Sequence, residues 1–366
     1  MLNKKTRMHD KLTSVTNDDS LVSGFPRVSL GHFPTPLEPM DRLTRHLHGP
    51  QLFIKRDDCS GLAMGGNKVR QMEFHLGDAL AKGADTVIST SAVQSNHLRV
   101  LAAAASKLGL ACEIQREDRV ANYSEEYMRS GNVLLQDLFG AKINEFSEGE
   151  NEEAADAALQ QIAARVKKEG GKPYVIGLGL ENPPLGALGY VDAAREMLDQ
   201  FTEQGIQVDS IVLPSGSAST HAGTVVGLRA LGSDIQVFGI CIRRNRTEQA
   251  KRVWQRLQET AELINKPGIV SKDDVWVNDE YLGPSYGVPT KEMLAAVKLA
   301  ARTEGLLLDP VYSGKGMAGL IGLINRGIFT SDSTVVYIHT GGTPALFAYG
   351  HVFQSESLVQ MQRSVM

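Results

Sequence analysis

The sequence lacks the features that mark nucleic-acid-binding, membrane or disulfide-stabilised proteins. Lys and Arg number 38 against 42 Asp and Glu, which gives a net charge of −4 and a pI of about 6.2. No basic cluster is present, so neither nucleic acid nor an anionic membrane surface is expected as a partner. No run approaches the roughly 18 apolar residues of a membrane span. The three cysteines lie far apart without a CxxC motif, which is typical of a reducing compartment.

Targeting and metal motifs are lacking as well. Residues 1–24 carry charged residues but no apolar core, so we expect a disordered leader and a cytoplasmic protein. The nine histidines give one close pair, His46 and His48, which is typical of a surface helix end, and we expect no metal site. The chain has no Walker loop, no HExxH motif and no GxGxxG in a strand-to-helix loop. A function in small-molecule chemistry that uses none of these motifs therefore stays open.

Short apolar segments alternate with helix-like segments along the chain. The strand-like segments ADTVIST, KPYVIGL, VDSIVLP and STVVYIH each precede a loop rich in small and polar residues, and then a helix-like segment. This order predicts βαβ units, hence an α/β fold with parallel sheets and helices on both faces. Ligands of such sheets bind beyond the carboxyl ends of the strands, where these four loops would meet. For the charged segment 147–171 we predict a solvated helix and no function.

The loop SGSASTHAG, residues 215–223, has the composition of an anion site. A strand that ends in small residues and opens a helix presents free backbone N–H groups and the positive end of the helix dipole. The hydroxyls of Ser217, Ser219 and Thr220 add donors. A phosphate would suit this loop, but an ordinary strand-to-helix turn with Ser or Thr caps has the same composition. Both interpretations stay open on this loop alone.

Lys68 stands in the segment AMGGNK, directly ahead of a helix-like run in which Val69, Met72, Leu76 and Leu80 share one face. Acidic residues stabilise the first turn of a helix, so a lysine there needs another explanation. The helix dipole and partial desolvation favour the neutral amine, which is the nucleophile that binds pyridoxal phosphate (PLP). With the candidate phosphate loop, Lys68 predicts a PLP site. The alternative is a solvated lysine ahead of an amphipathic helix.

The segment QSNHLR, residues 94–99, is a second strand-to-helix loop. Ser95 or Asn96 could cap the helix, and His97 could be a buried imidazole. Alternatively, the hydroxyl, the amide and the imidazole could bind a substrate carboxylate and the ring oxygen of the cofactor. The residues of this loop do not decide between these interpretations.

Six segments in one order carry a family resemblance. They are AMGGNKVRQMEF, VQSNHLR, SGSASTHAG, YGVPT, LLLDPVYSGKGMAGL and HTGGTPALFAY. From about residue 24 to residue 349 the chain resembles the family of D-cysteine desulfhydrases and 1-aminocyclopropane-1-carboxylate (ACC) deaminases. The resemblance implies a homodimeric PLP enzyme of fold type II, the tryptophan-synthase-β-like fold, with two parallel-sheet αβα domains. Residues 25–64 and 177–366 would form the large PLP-binding domain and residues 65–176 the small domain.

The resemblance also implies roles for individual residues. Lys68 would form the Schiff base and move the proton, and Asn96 would bind the ring hydroxyl of PLP. Ser313 would meet the pyridine nitrogen, with Thr340 nearby. The phosphate would be held by Ser217, Ala218, Ser219 and Thr220. The cofactor and substrate would be contacted by Ser95, His97, Tyr286, Tyr312 and Thr340, of which Ser95 and the two tyrosines would join Lys68 in catalysis.

Three departures from the family pattern affect the site. Ser219 replaces a glycine that relatives usually have in the phosphate loop, where backbone should approach the ligand closely. The segment STSAVQSNH lacks a glycine before QSNH, and GLGLENPPLG replaces a more usual GGSNxLG. We expect these changes to alter the grip on the cofactor and the shape of the pocket, while Lys68 remains.

Ser313 and His97 bear on the substrate. ACC deaminases place a glutamate where this chain has Ser313, and a carboxylate would give PLP a stronger electron sink than a hydroxyl. Opening the cyclopropane ring of ACC, which has no α-proton, depends on a strong electron sink. β-Elimination depends less on the strength of that sink. His97 also resembles the desulfhydrases, since deaminases tend to have glutamine there.

The predicted reaction is therefore α,β-elimination from the amino acid D-cysteine, giving pyruvate, sulfide and ammonia. L-Cysteate is the first alternative substrate, because a sulfonate could use hydroxyl and imidazole donors. ACC is the second. A degenerate family member that binds PLP or an amino acid without turnover is a further alternative.

Overall fold

The computed structural model describes residues 20–120 and 124–353. The predicted leader, residues 1–24, lies outside the described residues as far as residue 19. In the described part of the chain, no helix is both long enough and apolar enough to cross a membrane.

The strands form at the apolar segments of the sequence. STVVYIH, for example, contains β10, and ADTVIST shares residues 86–90 with β3. In chain order the strands are β1 Leu37–Pro39, β2 Gln51–Lys55, β3 Thr86–Ala92, β4 Ala111–Glu117, β5 Lys142–Phe146, β6 Pro173–Ile176, β7 Ser210–Ser215, β8 Gln236–Cys241, β9 Trp276–Asn278 and β10 Thr334–Ile338.

The helices occupy most of the intervals between the strands, as βαβ units require. The bounds are α1 Asp41–Leu47, α2 Lys68–Ala81, α3 Asn96–Leu108, α4 Glu125–Arg129, α5 Asn132–Leu138, α6 Glu152–Lys168, α7 Leu188–Gln204, α8 Ser219–Ala230, α9 Arg246–Leu263, α10 Lys291–Glu304, α11 Ser313–Asn325 and α12 Ala345–Ala348. Local signals set some of these ends. The Ser95 side chain caps the start of α3, and Gly109 ends it with a left-handed φ of 76°.

Two sheets organise these elements. The larger has the strand order β1-β2-β10-β7-β8-β9, and only its β1–β2 pair is antiparallel. The smaller has the order β5-β4-β3-β6 and is parallel throughout. The predicted α/β fold with parallel sheets is confirmed. The strands of the smaller sheet fall within residues 65–176, while the predicted domain boundaries themselves stay a prediction.

The larger sheet is covered on both faces, because successive residues of a strand point to opposite sides. Ile211 and Leu213 of β7 pack with Val336 of β10 in an apolar cluster that includes α7, α8 and α9. Val212 and Tyr337, from the same two strands, pack in a second cluster with α10 and α11. This double burial explains why β7 and β10 read as continuous apolar segments in the sequence.

A buried cluster of charges attaches α2 to its surroundings. Arg70, 1% exposed, donates hydrogen bonds to both carboxylate oxygens of Asp57 at 3.0 Å and to those of Glu196 at 2.7 and 2.9 Å. Lys55 Nζ donates to Glu196 as well, at 2.5 Å. Burial alone would raise the pKa of Asp57, but the guanidinium of Arg70 and its hydrogen bonds hold that pKa below its usual value. Two cations and two carboxylates thus balance inside the protein.

Replacing Arg70 should strongly destabilise the fold. The variant Arg70→Met leaves the carboxylates of Asp57 and Glu196 with Lys55 alone, and such uncompensated buried charge costs about 3–5 kcal/mol. Urea unfolding of the two proteins measures the difference. The control is Arg326→Met, whose side chain is 40% exposed in its pair with Glu280 and should cost about 1 kcal/mol or less. Equal losses in the two variants would contradict this account of the cluster.

Candidate active site

A cavity lies at the carboxyl ends of three strands. Ser91 near the end of β3, Ser215 at the end of β7 and Thr340 just after β10 line its wall. The N-terminal turns of α2, α3 and α8 line the same cavity. All four loops that were predicted to meet contribute to it, the fourth through Gly179. The sheet topology therefore brings the candidate motifs together.

Lys68 is the first residue of α2 and lies half-buried on the cavity wall. Its Nζ donates a hydrogen bond to Oε1 of Gln71, one turn along the helix, at 2.9 Å. Burial lowers the pKa of the Lys68 amine from 10.5 to about 8. An amine in this position is closer to neutral at physiological pH than an exposed lysine, as nucleophilic attack on an aldehyde requires.

The loop between β7 and α8 presents its backbone to the same cavity. Ser217, Ala218 and Thr220 line the wall. Ala218 adopts left-handed backbone angles, φ 73° and ψ −7°, directly before the helix. Such a turn followed by a helix N-terminus directs successive N–H groups to one point, which suits an anion. The carbonyl oxygen of Ser217 accepts a hydrogen bond from Arg252 Nε at 3.2 Å, and this anchors the loop.

Ser219, predicted to replace a close-approach glycine in this loop, does not line the cavity. It is the first residue of α8 and has no positive φ. The left-handed residue of the loop is its neighbour Ala218. The predicted role of Ser219 at the phosphate stays a prediction.

Ser95 and Asn96 lie where α3 begins, and both line the cavity. The Ser95 oxygen accepts a hydrogen bond from the backbone N–H of Leu98 at 3.2 Å, so it caps the helix and still has its own hydrogen to donate. Asn96 Nδ2 donates to Oδ1 of Asn67 at 3.2 Å and approaches the carbonyl oxygen of Thr340 at 3.5 Å. The structural and functional interpretations of this loop are thus compatible.

His97 lies beside them as a neutral imidazole. The hydroxyl of Ser89 donates its one hydrogen to the carbonyl oxygen of Ile176 at 2.7 Å. The contact of 2.8 Å between Ser89 Oγ and His97 Nε2 must therefore use a hydrogen on Nε2. Burial holds the pKa of His97 well below 6.5, so Nδ1 carries no hydrogen and is an acceptor. In this tautomer the one N–H of His97 is directed to Ser89, and the role of His97 toward a substrate stays a prediction.

Tyr286 and Tyr312 line the same cavity. Their ring centroids are 5.9 Å apart with an interplanar angle of 73°, an edge-to-face contact. Burial raises the pKa of Tyr286 well above 10, so its hydroxyl keeps its hydrogen. The Arg119 guanidinium lies 5.7 Å from the Tyr286 ring centroid. Both tyrosines that the resemblance singled out therefore share the cavity with Lys68.

Ser313, predicted to meet the pyridine nitrogen, is fully buried and does not line the cavity. Its hydroxyl donates to Oδ2 of Asp309 at 2.7 Å and accepts the backbone N–H of Asp309 at the same distance. Asp309 does line the cavity, and it also accepts the backbone N–H groups of Val311 and Tyr312 at 2.8 Å. Sequence reasoning missed Asp309, although its place directly before the PVY motif is that of a turn-capping carboxylate.

A cluster of ion pairs at the cavity was also missed. Glu152, the first residue of α6, pairs with Arg243, Arg244 and Arg252, and all four residues line the cavity. The charged segment that was expected to be a solvated helix without a function thus contributes to the site wall. No local signal could reveal this, because Glu152 is about a hundred residues from its partners in the chain.

Comparison with known proteins identifies the family of this chain. The family model "Pyridoxal-phosphate dependent enzyme" matches residues 28–341. D-cysteine desulfhydrases of Klebsiella pneumoniae (strain 342) and Salmonella choleraesuis (strain SC-B67) are each 46% identical over 325 residues, 89% of this chain and 96% of each relative. A crystal structure of an ACC deaminase homologue is 36% identical, with a TM-score of 0.81 over 92% of this chain and 97% of that one.

The chain belongs to the pyridoxal-phosphate dependent enzyme family, in the branch of the D-cysteine desulfhydrases and ACC deaminase homologues. The predicted fold type II, enzyme class and PLP cofactor are confirmed. The residues present fit the cofactor. An amine with a lowered pKa and a left-handed turn at a helix N-terminus line one cavity, and the single side chain of Gln71 bridges Lys68 to Thr220. The roles of the individual residues stay predictions.

The rate at which the cofactor-free enzyme binds PLP should follow the neutral fraction of Lys68, because a protonated amine cannot attack an aldehyde. With a pKa of about 8, about a tenth of the amine is neutral at pH 7. We expect the rate to rise about tenfold per pH unit below pH 8 and to level off above it. Stopped-flow absorbance measures this profile. A rate that keeps rising towards pH 10.5 would indicate an unperturbed lysine.

Proposed function

We propose that this enzyme catalyses α,β-elimination from D-cysteine, releasing pyruvate, sulfide and ammonia. The observation that carries the proposal is the Lys68 amine, half-buried on a cavity wall that also includes the Ser217–Thr220 loop. The 46% identity to two D-cysteine desulfhydrases over nearly their whole length supports the substrate.

The roles of the cofactor-binding residues follow from their positions. Lys68 would hold the aldehyde carbon of PLP and, once released by the substrate amine, would take the proton from the substrate Cα. The N–H groups around Ala218 and the Thr220 hydroxyl would bind the phosphate, and Asn96 would donate to the ring hydroxyl. PLP, when bound, delocalises the electron pair left at Cα and so permits loss of the β-substituent.

Residues of α3 and the two tyrosines would act on the substrate. Ser95 still has a hydroxyl hydrogen, and the N-terminus of α3 is positive, so this point suits the substrate carboxylate. Tyr286 and Tyr312 lie against the same cavity and would close it from water. His97 offers an acceptor, which suits the S–H group of cysteine better than a sulfonate that has only acceptor oxygens.

Substrate profiling tests this activity. Pyruvate release from D-cysteine, L-cysteine, L-cysteate and ACC gives kcat/KM for each, and we expect D-cysteine to have the highest value with stoichiometric sulfide. In Lys68→Ala the visible absorbance of lysine-bound PLP and the activity should both be lost. Lys82→Ala, at the exposed far end of the same helix, is the control and should keep both.

Other outcomes of this assay would correct the proposal. A higher kcat/KM for L-cysteate would contradict the argument from His97. A higher value for ACC would contradict the choice of elimination. Bound PLP without turnover of any substrate would leave only a binding function.

We further propose a cytoplasmic homodimer. The family resemblance supports the dimer, and the side chains of Leu307 and Phe347 are 56% and 66% exposed. Thr343 Oγ1 donates to the carbonyl oxygen of Leu307 at 3.1 Å, which joins the segment of Leu307 to the turn that leads into α12, the helix that carries Phe347. All three cysteines are free, which suits a reducing compartment.

Sedimentation equilibrium tests the dimer. We expect twice the chain mass of 39.7 kDa for the unaltered protein and a single chain for the double variant Leu307→Asp with Phe347→Asp. An unaltered protein that sediments at 39.7 kDa would refute the dimer. A dimeric double variant would refute this surface as the interface.

A further inference from the structure

Gln71 lies between two groups of the proposed PLP site. Its side chain is 3% exposed on α2, three residues after Lys68. Oε1 accepts a hydrogen bond from Lys68 Nζ at 2.9 Å, and Nε2 donates to Thr220 Oγ1 at 3.0 Å. A protonated lysine only donates, so the amide oxygen must face Lys68 and the amide N–H must face Thr220.

A second amide reaches Thr220 from the other side. Asn67 Nδ2 donates to Thr220 Oγ1 at 3.0 Å, and its Oδ1 accepts from Asn96 Nδ2 at 3.2 Å. Oδ1 of Asn96 in turn accepts a hydrogen bond from the buried guanidinium of Arg99. A guanidinium carries only donors, so the direction of this hydrogen bond is fixed. The direction of every hydrogen bond in this series is thus set by a donor-only side chain at its end.

Both series converge on one oxygen. Thr220 Oγ1 accepts from Asn67 and from Gln71, which occupies both of its lone pairs. The hydroxyl hydrogen is the only capacity that remains, and Thr220 lies on the cavity wall at the N-terminus of α8. The Thr220 hydroxyl can therefore only donate to a ligand in the cavity. An anion is the ligand that a helix N-terminus favours.

We propose that Gln71 is a positioning residue that holds the Lys68 amine with its oxygen and, together with Asn67, forces the Thr220 hydroxyl to donate to the cofactor phosphate. This inference rests on the proposed function, since it requires PLP in this cavity. It adds a residue that the family resemblance did not assign, and it joins the aldehyde end of the site to the phosphate end. Loss of the amide should therefore weaken the phosphate contact although Gln71 does not itself line the cavity.

Two ligands separate the two ends of the site. 4-Deoxypyridoxine 5′-phosphate carries the phosphate but no aldehyde, so its affinity reports the phosphate end without a bond to Lys68. Pyridoxal carries the aldehyde but no phosphate. Their dissociation constants are measured by fluorescence titration of the full-length protein after removal of PLP.

Gln71→Leu should weaken binding of the deoxy phosphate about tenfold, the factor that one net hydrogen bond contributes. Gln71→Glu should weaken it further, because a carboxylate accepts the Thr220 hydrogen and repels the phosphate. In a Thr220→Val background, Gln71→Leu should cause no additional loss, since its effect is transmitted through that hydroxyl. A merely structural role would not produce this dependence on Thr220.

The matched control is Gln136→Leu, the same change at a fully buried glutamine that does not line the cavity. It should leave the affinity for the deoxy phosphate unchanged. Three results would each overturn this inference alone. The first is equal affinity in Gln71→Leu and the unaltered protein, and the second is an equal loss of affinity in Gln136→Leu. The third is that Gln71→Leu weakens binding as much in the Thr220→Val background as in the unaltered protein. Failure of the unaltered protein to bind PLP and the deoxy phosphate would instead refute the proposed function.

Discussion

The burial of the Arg70 guanidinium is the constraint on which the site depends. Two carboxylates, one following β2 and one on α7, bind this single side chain, and α2 can satisfy them only in one position. Lys68 lies two residues earlier on the same helix, so the charge cluster that stabilises the fold also fixes the start of α2 at the cavity. The desolvation that lowers the pKa of Lys68 follows from this placement and needs no charged neighbour.

Groups with a reduced tendency to carry charge share the cavity wall with backbone dipoles and with several charged side chains. Lys68 has a lowered pKa, His97 is an uncharged imidazole and Tyr286 keeps its hydrogen. Positive helix ends favour a phosphate and, for the same electrostatic reason, disfavour a proton on a nearby amine. One arrangement of helices therefore serves both the anion and the nucleophile. Three arginines that line the cavity share the single carboxylate of Glu152.

The sequence predicts those parts of the fold that depend on local pattern. Apolar segments and the loops after them located β3, β7 and β10, and a lysine at a helix start drew attention to Lys68. Contacts between distant residues could not be predicted in this way. Arg70 and Glu196 are 126 residues apart, and no spacing rule joins them. The tautomer of His97 was equally hidden, because it depends on the single hydrogen of Ser89 and on where that hydrogen is donated.

Ser313 shows that a motif can locate a segment without fixing the contacts of each side chain. The PVYSG segment lies at the cavity, yet its serine points its hydroxyl to Asp309, and the carboxylate of Asp309 is occupied by the backbone of the same turn. The Asp309 carboxylate accepts three backbone N–H groups of this turn, and the contact of Ser313 with the pyridine nitrogen stays a prediction. The buried Nδ1 of His97 adds a second constraint, since it lacks a donor among the described residues. The burial penalty of this acceptor is therefore not offset by any hydrogen bond within the described part of the chain.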